Sequence, residues 1–206
     1  MRIGVDLDDV MAICAVPYLK RFAQEYQVEL PDVNEIGWHL LREMDQHVSA
    51  QERDRFRTRL YDGTFFSQLD IYEDCPVVLE RLVQQGHEIF FITARAERRR
   101  MITETWLREK RILDYAKAVH LKPFGEFRPD YPRGRYDAEG SAAYKTRLAE
   151  ELRLDVFCED DVVIAQTLAE ADVRVLLFDH PWNREVTHER ITRVRGWAEV
   201  ATLLGV

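Results

Sequence analysis

The sequence predicts an α/β fold: a mostly parallel sheet with helices on both faces and a small all-helical insertion after the first strand. Three observations predict it. Short apolar runs alternate with stretches of helical periodicity along the 206 residues. The apolar runs show little polar alternation, as expected of strands covered on both faces. Residues 29–70 interrupt the alternation with helix signals alone.

The elements follow in order. Ile3 to Val5 is a short apolar strand that ends in Asp6, Asp8 and Asp9. Val16, Leu19, Phe22, Ala23 and Tyr26 recur at three- and four-residue spacing and mark one apolar helix face, after an irregular turn around residues 11–15. Pro17 is tolerable only near that helix's start. Pro31-Asp32 suggests a helix start, with Ile36, Leu40 and Leu41 as its apolar residues. Ser49 is an N-cap for a further helix with Phe56, Leu60 and Tyr61 on its face, stopped by Asp62-Gly63. The α/β pattern then resumes: a helix from Pro76, a strand at 87–92 ending in Thr93-Ala94-Arg95, a helix through Trp106, and a strand at 118–121. A proline- and glycine-bearing stretch at 122–140 is long for a connection, and such loops are often functional. It would cover the pocket, form an oligomer contact or move freely. A helix at 141–152 carries Lys145. A strand at 154–158 ends in Glu159-Asp160-Asp161, a helix spans 163–171, a fifth strand 173–178, and a tail helix closes the chain at 194–204. The domain organisation expected is an α/β core over 1–16 and 71–206 with a helical cap over 17–70.

Composition narrows the function. Apolar residues make up 46% and charged residues 32%, enough for one core and a soluble surface. The net charge of -8 argues against duplex nucleic acid and anionic membrane as partners. It leaves room for a small anionic substrate, because a bound cation reverses the local field. Cys14, Cys75 and Cys158 are widely spaced and lie among apolar neighbours, so buried free thiols in a reducing compartment are expected. The acids at 6, 8 and 9 break any signal-peptide pattern, and no apolar run approaches the ~20 residues of a membrane span. A cytoplasmic protein is expected. The six histidines show no zinc spacing and read as structural or surface residues.

The chemistry concentrates at strand ends. Acids packed together after a buried strand repel one another unless a cation neutralises them. In a parallel sheet the C-terminal strand ends share one edge, where ligands bind. Asp6-Asp8, Thr93 and Glu159-Asp160-Asp161 therefore converge, and Lys145 stands one helix before the last of them. Taken singly, Thr93 is a strand-end residue and Lys145 a solvated helix residue; only the joint order lifts them.

Asp6-Leu7-Asp8-Asp9-Val10, Ile92-Thr93, Lys145 and Glu159-Asp160, in that order, resemble the four motifs of the haloacid-dehalogenase-like hydrolase superfamily, which has a Rossmann-like core. The insertion after the first motif and the segment Asp179-His180-Pro181-Trp182-Asn183-Arg184 resemble its 5'(3')-deoxyribonucleotidase-type branch. The resemblance implies a phosphomonoester hydrolase with Mg²⁺ as cofactor and an aspartyl-phosphate intermediate. Asp6 would be the nucleophile and Asp8 the general acid and base. Branches acting on carbon–halogen bonds generally lack the second Asp, so Asp8 favours phosphoryl transfer. Thr93, Ala94 and Lys145 would bind phosphate. Asp6, the Asp8 carbonyl, Glu159 and Asp160 would hold the metal, with Asp160-Asp161 as an alternative pair. Asp9 stays a turn residue.

Substrate choice rests on less. Trp38, Phe65 and Phe66 are candidates for stacking on a nucleobase, against packing of the insertion's own core. Arg95, two residues after Thr93, is the best placed of the cluster Arg95, Arg98, Arg99 and Arg100 to attract an anion. The expected partner is a small phosphorylated molecule: a nucleoside monophosphate first, a sugar phosphate or other phosphometabolite second. A module that keeps the fold without turnover is disfavoured, because every named catalytic position is filled.

Overall fold

A computed structural model of the chain describes residues 1–32, 35–40, 46, 48–126 and 136–206. The elements are β1 (Arg2–Val5), α1 (Ala15–Tyr26), α2 (Ala50–Asp62), α3 (Cys75–Gln84), β2 (Glu88–Ala96), α4 (Arg100–Glu109), β3 (Ala116–Lys122), α5 (Ala138–Glu151), β4 (Val156–Glu159), α6 (Val162–Glu170), β5 (Arg174–Phe178), β6 (Ile191–Val194) and α7 (Trp197–Leu204). Among the described residues no helix is long and apolar enough to cross a membrane.

The six strands form one sheet in the order β3-β2-β1-β4-β5-β6, and all five pairings are parallel. This is the doubly wound Rossmann order, and it has a consequence for function. The chain winds outward from β1 through β2 to β3, then returns to β4 on the other side of β1. The crevice between the ends of β1 and β4 is thus the topological switch point.

Consecutive strand residues face opposite sides, and both sides are apolar. Ile89 and Phe91 join one buried cluster with Leu79, Trp106 and Val200, whereas Phe90 and Ile92 join a second with Leu148, Ile164 and Leu168. Helices α3, α4 and α7 therefore cover one face and α5 and α6 the other. Each fully buried side chain of this size contributes roughly 1.5–3 kcal/mol. That is why the central strands tolerate no alternation with polar residues. Gly4 lets β4 lie close: a Cβ there would stand 2.6 Å from the Phe157 ring.

Local signals set the boundaries. Ser49 Oγ accepts from the Glu52 amide and starts α2, as its sequence predicts. Gln27 ends α1 in a left-handed conformation, with φ 54°. Cys14, Cys75 and Cys158 are buried and free.

Three expectations are corrected. Strand β2 does not stop at Ile92 but runs to Ala96, with a register shift between Thr93 and Ala96 that re-aims the chain at the site. Strand β6 is absent from the sequence reading: Ile191-Thr192-Arg193-Val194 is a half-exposed edge strand with a charged residue inside it. The helix expected after Pro31 falls partly outside the described residues, which omit 33, 34 and 41–45; its described part is a single 3₁₀ turn, Trp38–Leu40.

Candidate active site

The C-terminal ends of β1, β2 and β4 open into one cavity of about 210 Å³. Asp6, Asp8, Thr93, Ala94, Arg95, Glu159, Asp160 and Asp161 line it. Tyr18, Trp38, Arg57, Tyr61 and Phe66, from the segment after β1, line it as well.

Asp6 follows β1 directly, and its amide still donates to the Cys158 carbonyl of β4 (3.0 Å). This bond to β4 fixes the Asp6 backbone at the switch point. Lys145 reaches the carboxylate from α5: Nζ lies 2.9 Å from Asp6 Oδ1 and 2.8 Å from Glu159 Oε2. Lys145 and Glu159 are fully buried, and Asp6 and Asp160 are nearly so. Oxygen atoms of Asp6, Glu159 and Asp160 come within 4.8 Å of one another.

The electrostatics of this cluster are unbalanced. Burial by itself favours neutral Lys145, but the adjacent Asp6 and Glu159 outweigh it and hold the ammonium above its ordinary range. Burial raises the Asp6 pKa, and Asp8 adds to this, against the pull of Lys145. Burial and Asp6 push Glu159 up to about 8 despite Lys145. Asp160 is pushed well above the carboxylate range by burial and by Glu159, Asp9 and Asp6. One lysine cannot neutralise three buried acids, so in the metal-free fold Glu159 and Asp160 are driven toward their protonated forms.

These residues fit a hard divalent cation. All three donors are oxygens, as Mg²⁺ requires. Asp6 Oδ1 is buried and has no aligned hydrogen-bond donor, the Lys145 contact being an ion pair off the hydrogen-bond direction. Asp161, the alternative partner in the sequence, is otherwise engaged: its Oδ1 accepts from the Val163 and Ile164 amides and caps α6. The geometry thus groups Glu159 with Asp160.

Asp8 is gripped from the other side. Arg95 Nε donates to Asp8 Oδ2 (3.0 Å) and Nη2 to Asp8 Oδ1 (2.6 Å). The Arg95 guanidinium stacks on Phe66, 3.9 Å from the ring centroid. Arg95 was expected to attract substrate; in the structure its fork is engaged by Asp8. Thr93 is buried, and its Oγ1 accepts from the Arg95 amide (3.2 Å).

The three aromatic candidates separate. Trp38 and Phe66 line the cavity. Phe65 does not: it is buried against Tyr61, Phe66 and Tyr18 in the packing of the insertion. Of the arginines, Arg99 lines the cavity and pairs with Asp62, whereas Arg100 pairs with Glu97 and Glu104. In the 122–140 stretch, Arg128, Tyr131, Arg133 and Arg135 lie outside the described residues, and Tyr136 lines the cavity.

Several contributors were missed. Asp9 is more than a turn residue. Its buried carboxylate accepts from the Cys14 and Ala15 amides at the start of α1 and from Trp38 Nε1 (2.8 Å), at a positive φ of 57°. Burial raises it to about 7, against those amide bonds. His180 is stacked on Trp182, with centroids 4.3 Å apart, and bonds the Asp9 carbonyl through Nε2 (2.7 Å). Trp182 lines the cavity and donates to Asp160. The available signal was position: these residues follow β5 at the same sheet edge as the motifs.

Comparison with known proteins agrees with this geometry. A family profile described as 5' nucleotidase, deoxy (pyrimidine), cytosolic type C protein matches residues 1–123. The chain is 28% identical over 154 residues to a nucleotidase of Clostridium acetobutylicum, covering 75% of this chain and 69% of that one. Among solved structures it resembles one described as a predicted phosphatase from the same organism, with TM-score 0.69, 11% identity and 100% and 98% of the two chains covered. A haloacid-dehalogenase-type hydrolase of Bacillus subtilis, bound to magnesium in its crystal, gives TM-score 0.59 at 11% identity, with 100% and 98% covered. Likeness at such identity shows the fold alone. The profile spans more than half of the sequence and both aspartates of the first motif, and the chain belongs to the 5' nucleotidase, deoxy (pyrimidine), cytosolic type C family.

Proposed function

We propose that the protein is a Mg²⁺-dependent phosphomonoester hydrolase acting on nucleoside or deoxynucleoside 5'-monophosphates. The observation that carries this reading is the meeting of Asp6, Asp8, Glu159 and Asp160 at one cavity that aromatic residues also line, with the buried Lys145 bridging Asp6 and Glu159. Family membership and the nucleotidase relative support it.

Asp6 attacks phosphorus, and the bond to the leaving oxygen breaks as the aspartyl phosphate forms. Lys145 neutralises the approach of the phosphate to the carboxylate. Thr93 and Ala94, where β2 shifts register, present a hydroxyl and an amide to phosphate oxygens. Asp6 and Asp160, the Asp8 carbonyl, and Glu159 directly or through water would hold Mg²⁺. When bound, the cation supplies charge stabilisation to the phosphoryl oxygens. Asp8 gives its proton to the leaving oxygen and then takes one from the water that hydrolyses the intermediate. For the first of these steps its carboxyl must leave the Arg95 fork. Residues 17–70 act as a cap that brings Tyr18, Trp38, Tyr61 and Phe66 over the substrate.

The test is a panel of phosphomonoesters assayed with Mg²⁺, using wild type and Asp6→Asn. Nucleotides turned over in preference to sugar phosphates, with activity abolished in the variant, is the expected result. Equal rates across the panel would remove the nucleotide assignment, and activity surviving in Asp6→Asn would remove the nucleophile.

A further inference from the structure

The loop after β5 touches the candidate metal site without supplying a metal ligand. Trp182 Nε1 lies 3.1 Å from Asp160 Oδ2 and 3.2 Å from the Asp160 carbonyl. Asn183, almost fully buried, donates through Nδ2 to the same carbonyl (2.8 Å) and to the Phe178 carbonyl (2.7 Å). Arg193 of β6 fixes Asn183 in turn, with Nη1 2.8 Å from Asn183 Oδ1. The same guanidinium bonds the carbonyls of Asn183, Arg184 and Val186. Asp160 is thus held by a chain of donors that begins at the sheet edge.

The indole end of this chain also meets the insertion. A Cβ added to Gly37 would stand 2.3 Å from Trp182 Cε3, so the Gly37 backbone lies flush on the ring. The ring is also stacked on His180, at an interplanar angle of 4°. The indole thus touches both the core loop and the segment before Trp38, with its single N–H aimed at Asp160. A carboxylate that binds a metal gains affinity when its orientation is fixed in advance by an outer donor.

We propose that Trp182 is a positioning residue for the divalent cation, acting through Asp160, and that contact with Gly37 keeps it in place. The insertion and the cation site are then linked: seating the 35–40 segment on Trp182 orients a metal ligand, and displacing it loosens that ligand. This rests on the assignment of Asp160 to the metal in the reading above.

The experiment is Mg²⁺ binding to the full chain without substrate, by titration calorimetry and by the Mg²⁺-induced shift in melting temperature. Trp182→Phe keeps an aromatic ring for His180 to stack on and removes the N–H together with part of the indole, so its metal-free melting temperature is read alongside. Its Mg²⁺ dissociation constant should rise 10–100-fold, the range typical of lost outer-sphere donors. Gly37→Ala leaves every donor in place and pushes the indole aside; it should weaken Mg²⁺ in the same direction. The melting temperature without Mg²⁺, read on the same samples, separates lost binding from lost folding. Should Trp182→Phe misfold, Gly37→Ala carries the test by itself. Unchanged Mg²⁺ affinity in the folded variants overturns the role of Trp182 and leaves the metal site standing. A wild type that binds no divalent cation overturns both. A wild type that binds Mg²⁺ but hydrolyses no phosphomonoester removes the enzymatic reading alone.

Discussion

Arg95 closes a two-point fork on Asp8, and the guanidinium is almost wholly buried while the carboxylate is 26% exposed. The guanidinium also meets the Phe66 and Trp106 rings and Thr103, whose Oγ1 lies 3.4 Å from Nη1. Removing the carboxylate would strand a buried cation. Breaking a buried pair from one side costs about 3–5 kcal/mol. The partial exposure of Asp8 places Asp8→Ala near the low end, about 3 kcal/mol. The variant should lose activity and also unfold at lower urea, whereas Asp8→Asn, which keeps an acceptor for the fork, should lose activity with less destabilisation. An Asp8→Ala protein as stable as wild type in urea would show that the fork does not hold the fold.

Asp160 predicts the opposite sign. It sits among Glu159, Asp9 and Asp6, with Lys145 already shared by Asp6 and Glu159. Asp160→Asn replaces a carboxyl that the fold holds away from its ionised form, while keeping an oxygen for Trp182 Nε1. An acid whose pKa is raised by folding costs stability above its ordinary range, so metal-free Asp160→Asn should be more stable than wild type at neutral pH. Turnover should fall by two orders of magnitude or more. Thermal denaturation in chelator is the measurement, and a lower melting temperature than wild type would contradict the charge imbalance.

Much of this site is legible in sequence because its parts are strand ends. Asp6, Thr93 and Glu159 each follow an apolar run, and a parallel sheet must bring such ends together. Lys145 is legible only through its order relative to them. What escapes are roles set by packing. Nothing in the string states that Asp161 caps α6 while Asp160 turns inward, since both are Asp at adjacent positions. The diversion of Arg95 to Asp8 depends on a register shift in β2 that no periodicity marks. Phe65 and Phe66 are likewise indistinguishable until the 3₁₀ turn at Phe66–Gln68 sends one ring into the insertion and the other to the cavity. Strand β6 is hidden because its Arg193 serves the 179–186 loop, not the sheet.

Metal binding should depend on pH in a direction fixed by the raised carboxyls. Glu159 ordinarily titrates near 4.5 and is held at about 8 in the metal-free fold. A raised acid favours its protonated form in the fold. Its contribution to metal-free stability is present below pH 4.5 and is lost as pH rises to about 8. Mg²⁺ requires the ionised form, so binding must release the proton. The stabilisation conferred by Mg²⁺ should therefore grow from pH 5.5 to 8 and level off above. At a hundredfold excess over the dissociation constant it is about 2.7 kcal/mol, or roughly 5–10 °C for a chain of this size. Melting curves with and without Mg²⁺ across this range provide the measurement; taking the difference cancels the histidines, whose own titration is common to both. A shift that shrinks with rising pH would mean that the acids do not bind the cation.

The aromatic wall makes the final prediction, which concerns the substrate. Trp38 lines the cavity beside Tyr18, with ring centroids 5.1 Å apart. Trp38→Leu removes the stacking surface, while Asp9 keeps the Cys14 and Ala15 amides and so still caps α1. Stacking of a base on an aromatic ring is worth roughly 1–3 kcal/mol. The KM for nucleoside 5'-monophosphates should therefore rise at least fivefold, with kcat changed less. A phosphomonoester without a base, such as glycerol phosphate, should lose little, because its contacts are confined to Asp6, Thr93, Lys145 and the metal. Steady-state kinetics on both substrates separates the outcomes. If the two KM values rise together, Trp38 supports the cavity wall through its bond to Asp9 and does not contact the base.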